Sequence, residues 1–363
     1  MESTPERVAR GKLISEMLCK ECHFDAATGR LTGQRMADVP KELGAAYSKN
    51  ITQDPQHGIG AWSDGEIAYL LRTGIRKDGT YTPPWMVKLP RLADEDIHSI
   101  IAFLRSGDSL VQAAPVADRE SEPTLLTKFL CRVAFKPFPY PDREIKAPPI
   151  SDKLAYGKYV VQDYLDCYGC HSADFKTMDA VHPEKSQGYL GGGNAMTGMD
   201  GKPIYTANLT PDGETGMGKW TEADFVKTMR TGTRPDGRAM RYPMTRIPGL
   251  TDEELQAVYA YLKTVPPLHN AVARNFPESG EGILTDGKAV YHKYACFSCH
   301  GATGVGSGDL TRAKHDFPGD SLLQAWIRNP SAFRPMTKMP GFEGIIKDEE
   351  YAPLIAYVRQ LGR

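Results

Sequence analysis

Cysteine spacing constrains this chain more than any other feature of its sequence. Six of its seven cysteines fall into three pairs with two residues between the members, and a histidine follows each pair directly. The three sets are Cys19, Cys22 and His23; Cys167, Cys170 and His171; and Cys296, Cys299 and His300. Random placement of the chain's cysteines and histidines would give about 0.003 such motifs. The repetition therefore indicates one binding chemistry that is used three times.

The C-x-x-C-H spacing matches the covalent attachment of haem. Two cysteines three positions apart can form thioether bonds to the two vinyl groups, and the adjacent histidine then lies beneath the iron as its proximal ligand. Zinc sites, dithiol redox motifs and disulfide frameworks also use paired cysteines. None of these explains a histidine that recurs at the same position three times. The motifs therefore predict three covalently bound haems c.

Charge and hydropathy exclude some classes of partner. The chain has 44 lysines and arginines against 45 aspartates and glutamates, so it offers no excess positive charge to attract nucleic acid. It also has no apolar run near the roughly 18 residues that a membrane-spanning helix needs. Because haem is attached covalently outside the cytoplasm, we expect a periplasmic or otherwise extracytoplasmic protein. Its export signal or membrane anchor is expected to lie outside this sequence.

An internal repeat relates the regions that follow the first two motifs. Segment 50–79 aligns without gaps on segment 208–237 at an offset of 158, with 12 identities in 30 positions. Trp62 pairs with Trp220, Arg72 with Arg230, and the same offset places Met86 on Met244. Both methionines come shortly before a helix start signal. The repeat predicts equivalent roles for these paired residues.

Periodicity predicts helices on both sides of each motif. Amphipathic stretches precede the motifs at 6–18, 154–165 and 287–294. Further amphipathic stretches with acidic first turns follow at 94–105, 252–264 and 348–361. No segment alternates convincingly as a β-strand does, so the sequence predicts an all-α chain.

This order of helix, C-x-x-C-H motif, loop, methionine and helix resembles the class I cytochrome c domain. The resemblance implies three tandem domains at 1–108, 152–267 and 281–363, joined by proline-containing linkers at 109–151 and 268–280. The first two units are similar to the cytochrome c subunits of membrane-bound alcohol, gluconate and fructose dehydrogenases, which carry three haems. Those subunits have an N-I-T-P-D…G-I-G-x-W-S-D…R-T-G-x-R-x-D-G pattern that is similar to segment 50–79, which begins N-I-T-Q-D. The chain departs from them after its second motif, where 172–175 replace the usual T-P-R-N.

The sixth iron ligand decides whether a haem carries electrons or binds a substrate, because a six-coordinate iron has no open position. The class I resemblance implies methionine in this role. It selects Met86, Met244 and, directly before a proline, Met339 in preference to Met336. A distal histidine is the rival ligand, and His292 or His315 could supply it for the third haem alone. Neither His57 nor His98 has a histidine at the corresponding position of the repeat.

The resemblance implies an electron-transfer protein without catalytic residues. Its expected partners are a dehydrogenase or quinol-oxidising donor and a respiratory acceptor, with membrane association through a missing anchor or a partner subunit. The alternative is a multihaem oxidoreductase of the peroxidase or sulfur-compound dehydrogenase type, in which one haem is open or ligated by cysteine. Cys131 is left over after haem attachment and is expected to be a buried hydrophobe, with a distal ligand as its alternative role.

The first linker contains apolar residues at helical spacing, namely Leu125, Leu126, Phe129, Leu130 and Val133. The simpler interpretation is a connecting helix packed between domains. The other is an amphipathic contact with a membrane or a partner subunit.

Overall fold

A computed structural model describes residues 2–36, 39, 41–83, 85–133, 136–198, 201–273, 282–306 and 308–361. Most of its regular structure is helical. Contacts divide the chain into a first unit, Met1–Pro149 with Asp163–Leu165, and a second unit, Ile150–Gln162 with Asp166–Arg363. Most of the predicted linker 268–280 and the first residue of the predicted third domain lie outside the described residues. None of the described helices combines the length and hydropathy that crossing a membrane requires.

The helices of the first unit are α1 (Pro5–Leu18), α2 (Lys20–His23), α3 (Asp64–Thr73), α4 (Asp94–Leu104) and α5 (Leu125–Val133). A 3-10 turn at Lys41–Leu43 leads into β1 (Gly44–Ala45), which pairs antiparallel with β2 (Glu122–Pro123). The predicted helices at 6–18 and 94–105 are confirmed to within one residue at each end. The strand pair was not predicted, because two residues are too few to show alternation.

The helices of the second unit are α6 (Lys153–Tyr159), α7 (Cys167–His171), α8 (Glu222–Thr231), α9 (Asp252–Leu262), α10 (Gly287–Lys293), α11 (Phe297–His300), α12 (Ala313–Asp316), α13 (Asp320–Arg328), α14 (Pro330–Phe333) and α15 (Asp348–Leu361). A π-helical stretch, Val160–Tyr164, continues α6, and 3-10 turns lie at Phe175–Thr177 and Pro183–Lys185. Strands β3 (Ala195–Thr197) and β4 (Pro203–Tyr205) pair antiparallel. The helices predicted around the second and third motifs are confirmed, with boundaries shifted by a few residues.

Helices α3 and α8 were missed by periodicity, although both carry a clear capping signal. Ser63 caps α3 through a capping box with Glu66, and the left-handed Gly74 ends that helix. At the repeat-related positions, α8 begins with a Thr221–Asp224 capping box and ends at a left-handed glycine. A serine or threonine followed three residues later by an acidic residue would have located both helices.

Each helix that leads into a motif crosses a closing helix at a glycine. The described residues contain three such pairs, which are α1 with α4, α6 with α9, and α10 with α15. The touching residues are Gly11 with Ser99, Gly157 with Ala257, and Gly287 with Pro353. A Cβ on these glycines would lie 1.8, 2.0 and 2.0 Å from the facing carbonyl oxygens, so only glycine permits this approach. The crossings hold the helices that lead into the motifs: Cys19 follows α1 directly, Cys296 comes three residues after α10, and Cys167 comes after α6 and the π-helical stretch that continues it.

The buried apolar side chains surround these crossings. In the first unit they include Ile14, Leu31, Ile67, Leu92, Ile97, Ile100, Ile101 and Phe103. Around α6 and α9 they include Tyr156, Tyr159, Val160, Leu190, Phe225, Leu250, Leu255 and Val258. Around α10, α13 and α15 they include Val290, Tyr291, Leu323, Trp326, Ile327, Tyr351, Leu354 and Ile355. Burial of these side chains provides the main stabilisation of the helix pairs.

Candidate haem-attachment sites

Each C-x-x-C-H motif folds into a short helix that ends at its histidine. Cys19 is the C-cap of α1 and the N-cap of α2, α7 begins at Cys167, and Cys296 is the N-cap of α11. Positions i, i+3 and i+4 share one face of a helix, so both cysteines and the histidine point to the same side. The structure therefore brings together the three predicted residues of every motif. No disulfide bond joins any of the seven cysteines, all of which lie in the described part of the chain.

Every motif histidine is oriented by a main-chain carbonyl that faces its Nδ1 atom. The pairs are His23 with Lys49 at 2.7 Å, His171 with Ala207 at 2.8 Å, and His300 with Gly308 at 2.6 Å. An Nδ1–H that donates to a carbonyl leaves the lone pair on Nε2, the nitrogen that would bind iron. The three rings thus share the tautomer that an iron ligand requires.

Burial keeps these groups uncharged. It lowers the pKa of His23 and of His300, and their carbonyl hydrogen bonds oppose this shift only in part. It also raises the pKa of Cys167 to about 12 and that of Cys170 to about 11, with the nearby Asp166 adding to both shifts. These directions favour the neutral imidazole at His23 and His300 and the neutral thiol at Cys167 and Cys170.

Two repeated asparagines hold the carbonyls that orient the first two histidines. Asn50, directly after Lys49, donates from Nδ2 to the Ala114 carbonyl at 3.0 Å, and its Oδ1 accepts from the Thr52 main chain at 2.9 Å. Asn208, directly after Ala207, makes the same kind of contacts to the carbonyl of Leu268 and to the main chain of Thr210. These bonds explain the repeated N-x-T sequence. Sequence analysis missed the carbonyls of Lys49 and Ala207, although each directly precedes a repeated asparagine.

The repeated arginines hold the loops that carry Met86 and Met244. Arg72 is buried and donates to the Leu89 carbonyl at 2.9 Å and to Asp94, the first residue of α4. Met86 lies on the half-buried loop between α3 and this anchor, and its N–H donates to the Pro83 carbonyl at 3.1 Å. Arg72 therefore ties the loop that carries Met86 to the start of the closing helix α4.

Arg230 repeats this arrangement in the second unit. It donates to the Pro248 carbonyl at 3.1 Å and to Asp252 of α9 at 2.7 Å. Met244 is half-buried on the loop that these bonds hold.

The loop that carries Met339 contacts the loop that carries Met244 within the second unit. Two hydrogen bonds join Gly341 to the C-terminal end of α8 and the residues just after it. The Gly341 N–H donates to the Thr231 carbonyl at 3.1 Å, and the Thr233 hydroxyl donates to the Gly341 carbonyl at 3.3 Å. A third runs from Arg246 Nη2 to the Pro335 carbonyl at 3.3 Å. Arg246 is buried, and its Nε has no hydrogen-bond partner among the described atoms. We call these contacts the loop junction.

Met339 is half-buried and packs against the core formed by α10, α13 and α15, and Met336 is also half-buried. The rival histidines have other surroundings. His315 is exposed and lies 3.0 Å from a carboxylate oxygen of Asp316, and His292 stacks on Phe297 with 4.9 Å between ring centres. Within the described chain, no three His, Cys, Asp or Glu side chains are placed to hold one metal ion.

Cys131 lies on α5 and is half-buried. Burial raises the pKa of its thiol, and the charge of Lys88 opposes that shift. The apolar residues of the first linker do not fit the simpler prediction of a connecting helix packed between domains. Leu125, Leu126, Phe129 and Val133 are exposed on α5, whereas Leu130 is half-buried. The amphipathic period was recognised correctly, but it could not tell which side of the helix faces the protein.

Comparison with known proteins places the chain among haem proteins. The family model for cytochrome c matches residues 154–266 and 284–362. The cytochrome c subunit of the quinone alcohol dehydrogenase of Gluconobacter oxydans (strain 621H) is 28% identical over 97% of this chain and 78% of its own length. The cytochrome c subunit of gluconate 2-dehydrogenase from Pantoea cypripedii is 27% identical over 97% and 85%, respectively. The fructose dehydrogenase cytochrome subunit of Gluconobacter japonicus is 26% identical over 80% and 63%.

Proposed function

We propose that this chain, which belongs to the cytochrome c family, relays electrons through three covalently bound haems c with histidine and methionine on each iron. Family membership and the cytochrome subunits similar to it make the chain an electron-transfer protein that carries haem c and not a catalytic unit. One observation supports a count of three haems. At every motif a short helix ends at a histidine whose ring is oriented by a main-chain carbonyl.

The residues present fit haem c by their donor chemistry. The cysteine pairs would form the thioether links, and the irons would be bound by His23 with Met86, by His171 with Met244, and by His300 with Met339. Bound haem iron supplies a one-electron couple, and a methionine ligand raises its potential relative to a second histidine. A filled sixth position leaves no site for substrate, which is why this ligand set implies transfer and not catalysis.

The surrounding residues would keep the ligands fixed while the charge on the site changes. Lys49, Ala207 and Gly308 hold the imidazole rings through their carbonyls. Arg72 and Arg230 hold the loops of the first two methionines against the closing helices. Partners that orient ligands in this way keep the geometry constant in both oxidation states and help to set the potential.

The loop junction supports a relay within the second unit. It joins the two segments that carry Met244 and Met339, the residues that would complete the second and third haem sites. Arg246 would act there as a positioning residue. We propose that electrons pass between these two sites across the junction.

The partners follow from the relatives, whose names describe them as cytochrome subunits of alcohol, gluconate and fructose dehydrogenases. We propose that a dehydrogenase or a quinol-oxidising protein donates electrons to this chain and that a respiratory protein accepts them. The proposed location is the periplasm or another extracytoplasmic compartment, where haem c is attached.

The deciding experiment is a carbon monoxide difference spectrum of the fully reduced holoprotein, with haem quantified per chain. We expect three haems and no carbon monoxide binding. Met339→Ala should open one haem to carbon monoxide, whereas Met336→Ala, its neighbour on the same loop, should not. Met86→Ala and Met244→Ala should each open one further haem.

Three results would overturn parts of the proposal. A stoichiometry below three haems would exclude attachment at one motif. Carbon monoxide binding by the parent protein would point to an open haem and to the catalytic alternative. If Met336→Ala opens a haem and Met339→Ala does not, the third ligand assignment is wrong.

A further inference from the structure

Helix α5 presents its apolar side chains to solvent. Leu125 is 85% exposed, Phe129 61%, and Leu126 and Val133 52% each, while only Thr127 of the helix is buried. A surface helix of a globular protein normally turns its apolar face toward the core. The orientation of α5 is therefore inverted, and four large hydrophobic groups lie on the outside of the first unit.

Polar contacts fix this orientation. The Thr127 hydroxyl donates to the Leu43 carbonyl at 2.7 Å, and the hydroxyl of Thr124, just before the helix, donates to the Glu42 carbonyl at 2.8 Å. At 100° per residue, Leu125, Leu126, Phe129 and Val133 fall on one side of the helix, away from Thr127. The helix is thus attached through its polar side, and its apolar side is free to contact something else.

Within segment 123–141, which contains α5, every formal charge is positive, whereas the acidic residues Glu42 and Glu122 lie near the N-terminal end of the helix. Residues 123–141 contain no aspartate or glutamate but do contain Lys128, Arg132 and Lys136. On the helical wheel Lys128 and Arg132 lie next to Leu125, at one border of the apolar side, and both are exposed. This bias is local, because the whole chain has a formal net charge of −1. An apolar face bordered by cations is complementary to a layer of anionic headgroups above acyl chains.

We propose that α5 binds the surface of an anionic lipid bilayer and lies in its interface. Leu125, Leu126, Phe129 and Val133 would enter the boundary between headgroups and acyl chains. The ammonium and guanidinium groups of Lys128 and Arg132 would remain at the level of the phosphates. Apolar insertion and cationic attraction together make the two contributions that stable peripheral binding requires. The proposal does not depend on haem ligation.

Vesicle flotation of the full-chain holoprotein tests the proposal. We expect the parent protein to float with phosphatidylcholine vesicles that contain phosphatidylglycerol, and to bind pure phosphatidylcholine at least about tenfold more weakly. Leu126→Glu/Phe129→Glu should abolish flotation on both. Lys128→Gln/Arg132→Gln should weaken binding only to the anionic vesicles.

The matched control is Val181→Glu, since Val181 is 61% exposed like Phe129 but lies in the second unit. It should float as the parent does. All substituted side chains are exposed, so haem absorbance and the melting temperature should stay unchanged and show that each variant is folded. Failure of the parent to float, or equal flotation of the α5 variant and the parent, would overturn the proposal and leave a protein partner as the occupant of this face.

Discussion

At the scale of single residues, the repeat offers pairs of side chains that share a position but differ in burial. The side chain of Arg72 is 1% exposed and that of Arg230 is 29% exposed, although each bonds the first residue of a closing helix. Removal of a buried arginine leaves carbonyls and a carboxylate without their donor, whereas water replaces an exposed one. Burial therefore determines how much each arginine stabilises its loop.

We predict that Arg72→Gln lowers the free energy of unfolding by about 3 kcal/mol, and that Arg230→Gln lowers it by less than about 1 kcal/mol. Urea unfolding of the holoprotein, followed by circular dichroism, measures both. Equal losses in the two variants would show that burial does not distinguish them.

A second prediction concerns the glycine crossings. At Gly157 a Cβ would lie 2.0 Å from the Ala257 carbonyl oxygen, so Gly157→Ala must push α6 away from α9. We expect a loss of about 3 kcal/mol, at the upper end of ordinary overpacking. Gly65→Ala is the control, because Gly65 is also helical but its nearest neighbouring atom lies 4.0 Å away. That variant should gain about 0.5 kcal/mol in thermal unfolding. A neutral Gly157→Ala would contradict the crossing geometry.

At the scale of secondary-structure elements, a buried carboxylate joins α10 to α15. Glu350, the third residue of α15, is fully buried and bonds Lys293 at 2.8 Å, Tyr294 at 2.5 Å and the Leu284 N–H at 2.9 Å. Burial raises the pKa of Glu350, but these hydrogen bonds outweigh burial and lower it below its ordinary 4.5. Glu350 in its charged form therefore stabilises the helix pair.

We predict that Glu350→Gln costs about 3 kcal/mol of stability at neutral pH, because Lys293 is left buried without its counter-charge. The double variant Lys293→Met/Glu350→Leu should recover most of the loss, since it removes both charges. Denaturant unfolding of the three proteins measures these differences. A double variant as unstable as the single one would show that packing and not charge dominates.

The pH dependence of this contribution has a defined sign. A lowered pKa in the folded state means that the stabilisation is complete above the ordinary value of 4.5 and is lost as pH falls through the folded value. The parent should therefore lose its advantage over Glu350→Gln progressively on acidification below about pH 4.5. Thermal melts across that range test this, and an advantage that persists at the lowest pH would contradict the assignment.

At the scale of the whole molecule, the segment 136–149 contains no helix or strand and ends the main part of the first unit. The Lys146 side chain is 76% exposed there. We predict that limited trypsin digestion of the holoprotein cuts at Arg143 or Lys146 before it cuts within α1–α4 or α6–α9. Mass spectrometry should find one haem on the N-terminal fragment. Arg143→Gln/Lys146→Gln should remove this cut, and an earlier cut within those helices would contradict the unit boundary.

Much of this molecule can be predicted from sequence because its chemistry is local. A C-x-x-C-H motif contains both attachment cysteines and one ligand within a single helical turn, so Cys19, Cys22 and His23 need no tertiary contact to converge. Acidic first turns and apolar periodicity likewise located the closing helices α4, α9 and α15. The short strands and the helices α3, α8, α12, α13 and α14 were missed. The signals of α3 and α8 lie in their caps, and those of the strands lie in pairing, not in periodicity.

What the sequence by itself determined is the haem chemistry, the family resemblance and the helices that lead into each motif and close each repeat unit. Only the tertiary structure decided which carbonyl orients each histidine, such as Lys49, which is 26 residues from His23. It also decided that the Met244 and Met339 loops meet and that the apolar side of α5 faces outward. Such features depend on contacts between distant segments. A periodic pattern specifies that a helix has an apolar side, but only packing decides what that side contacts.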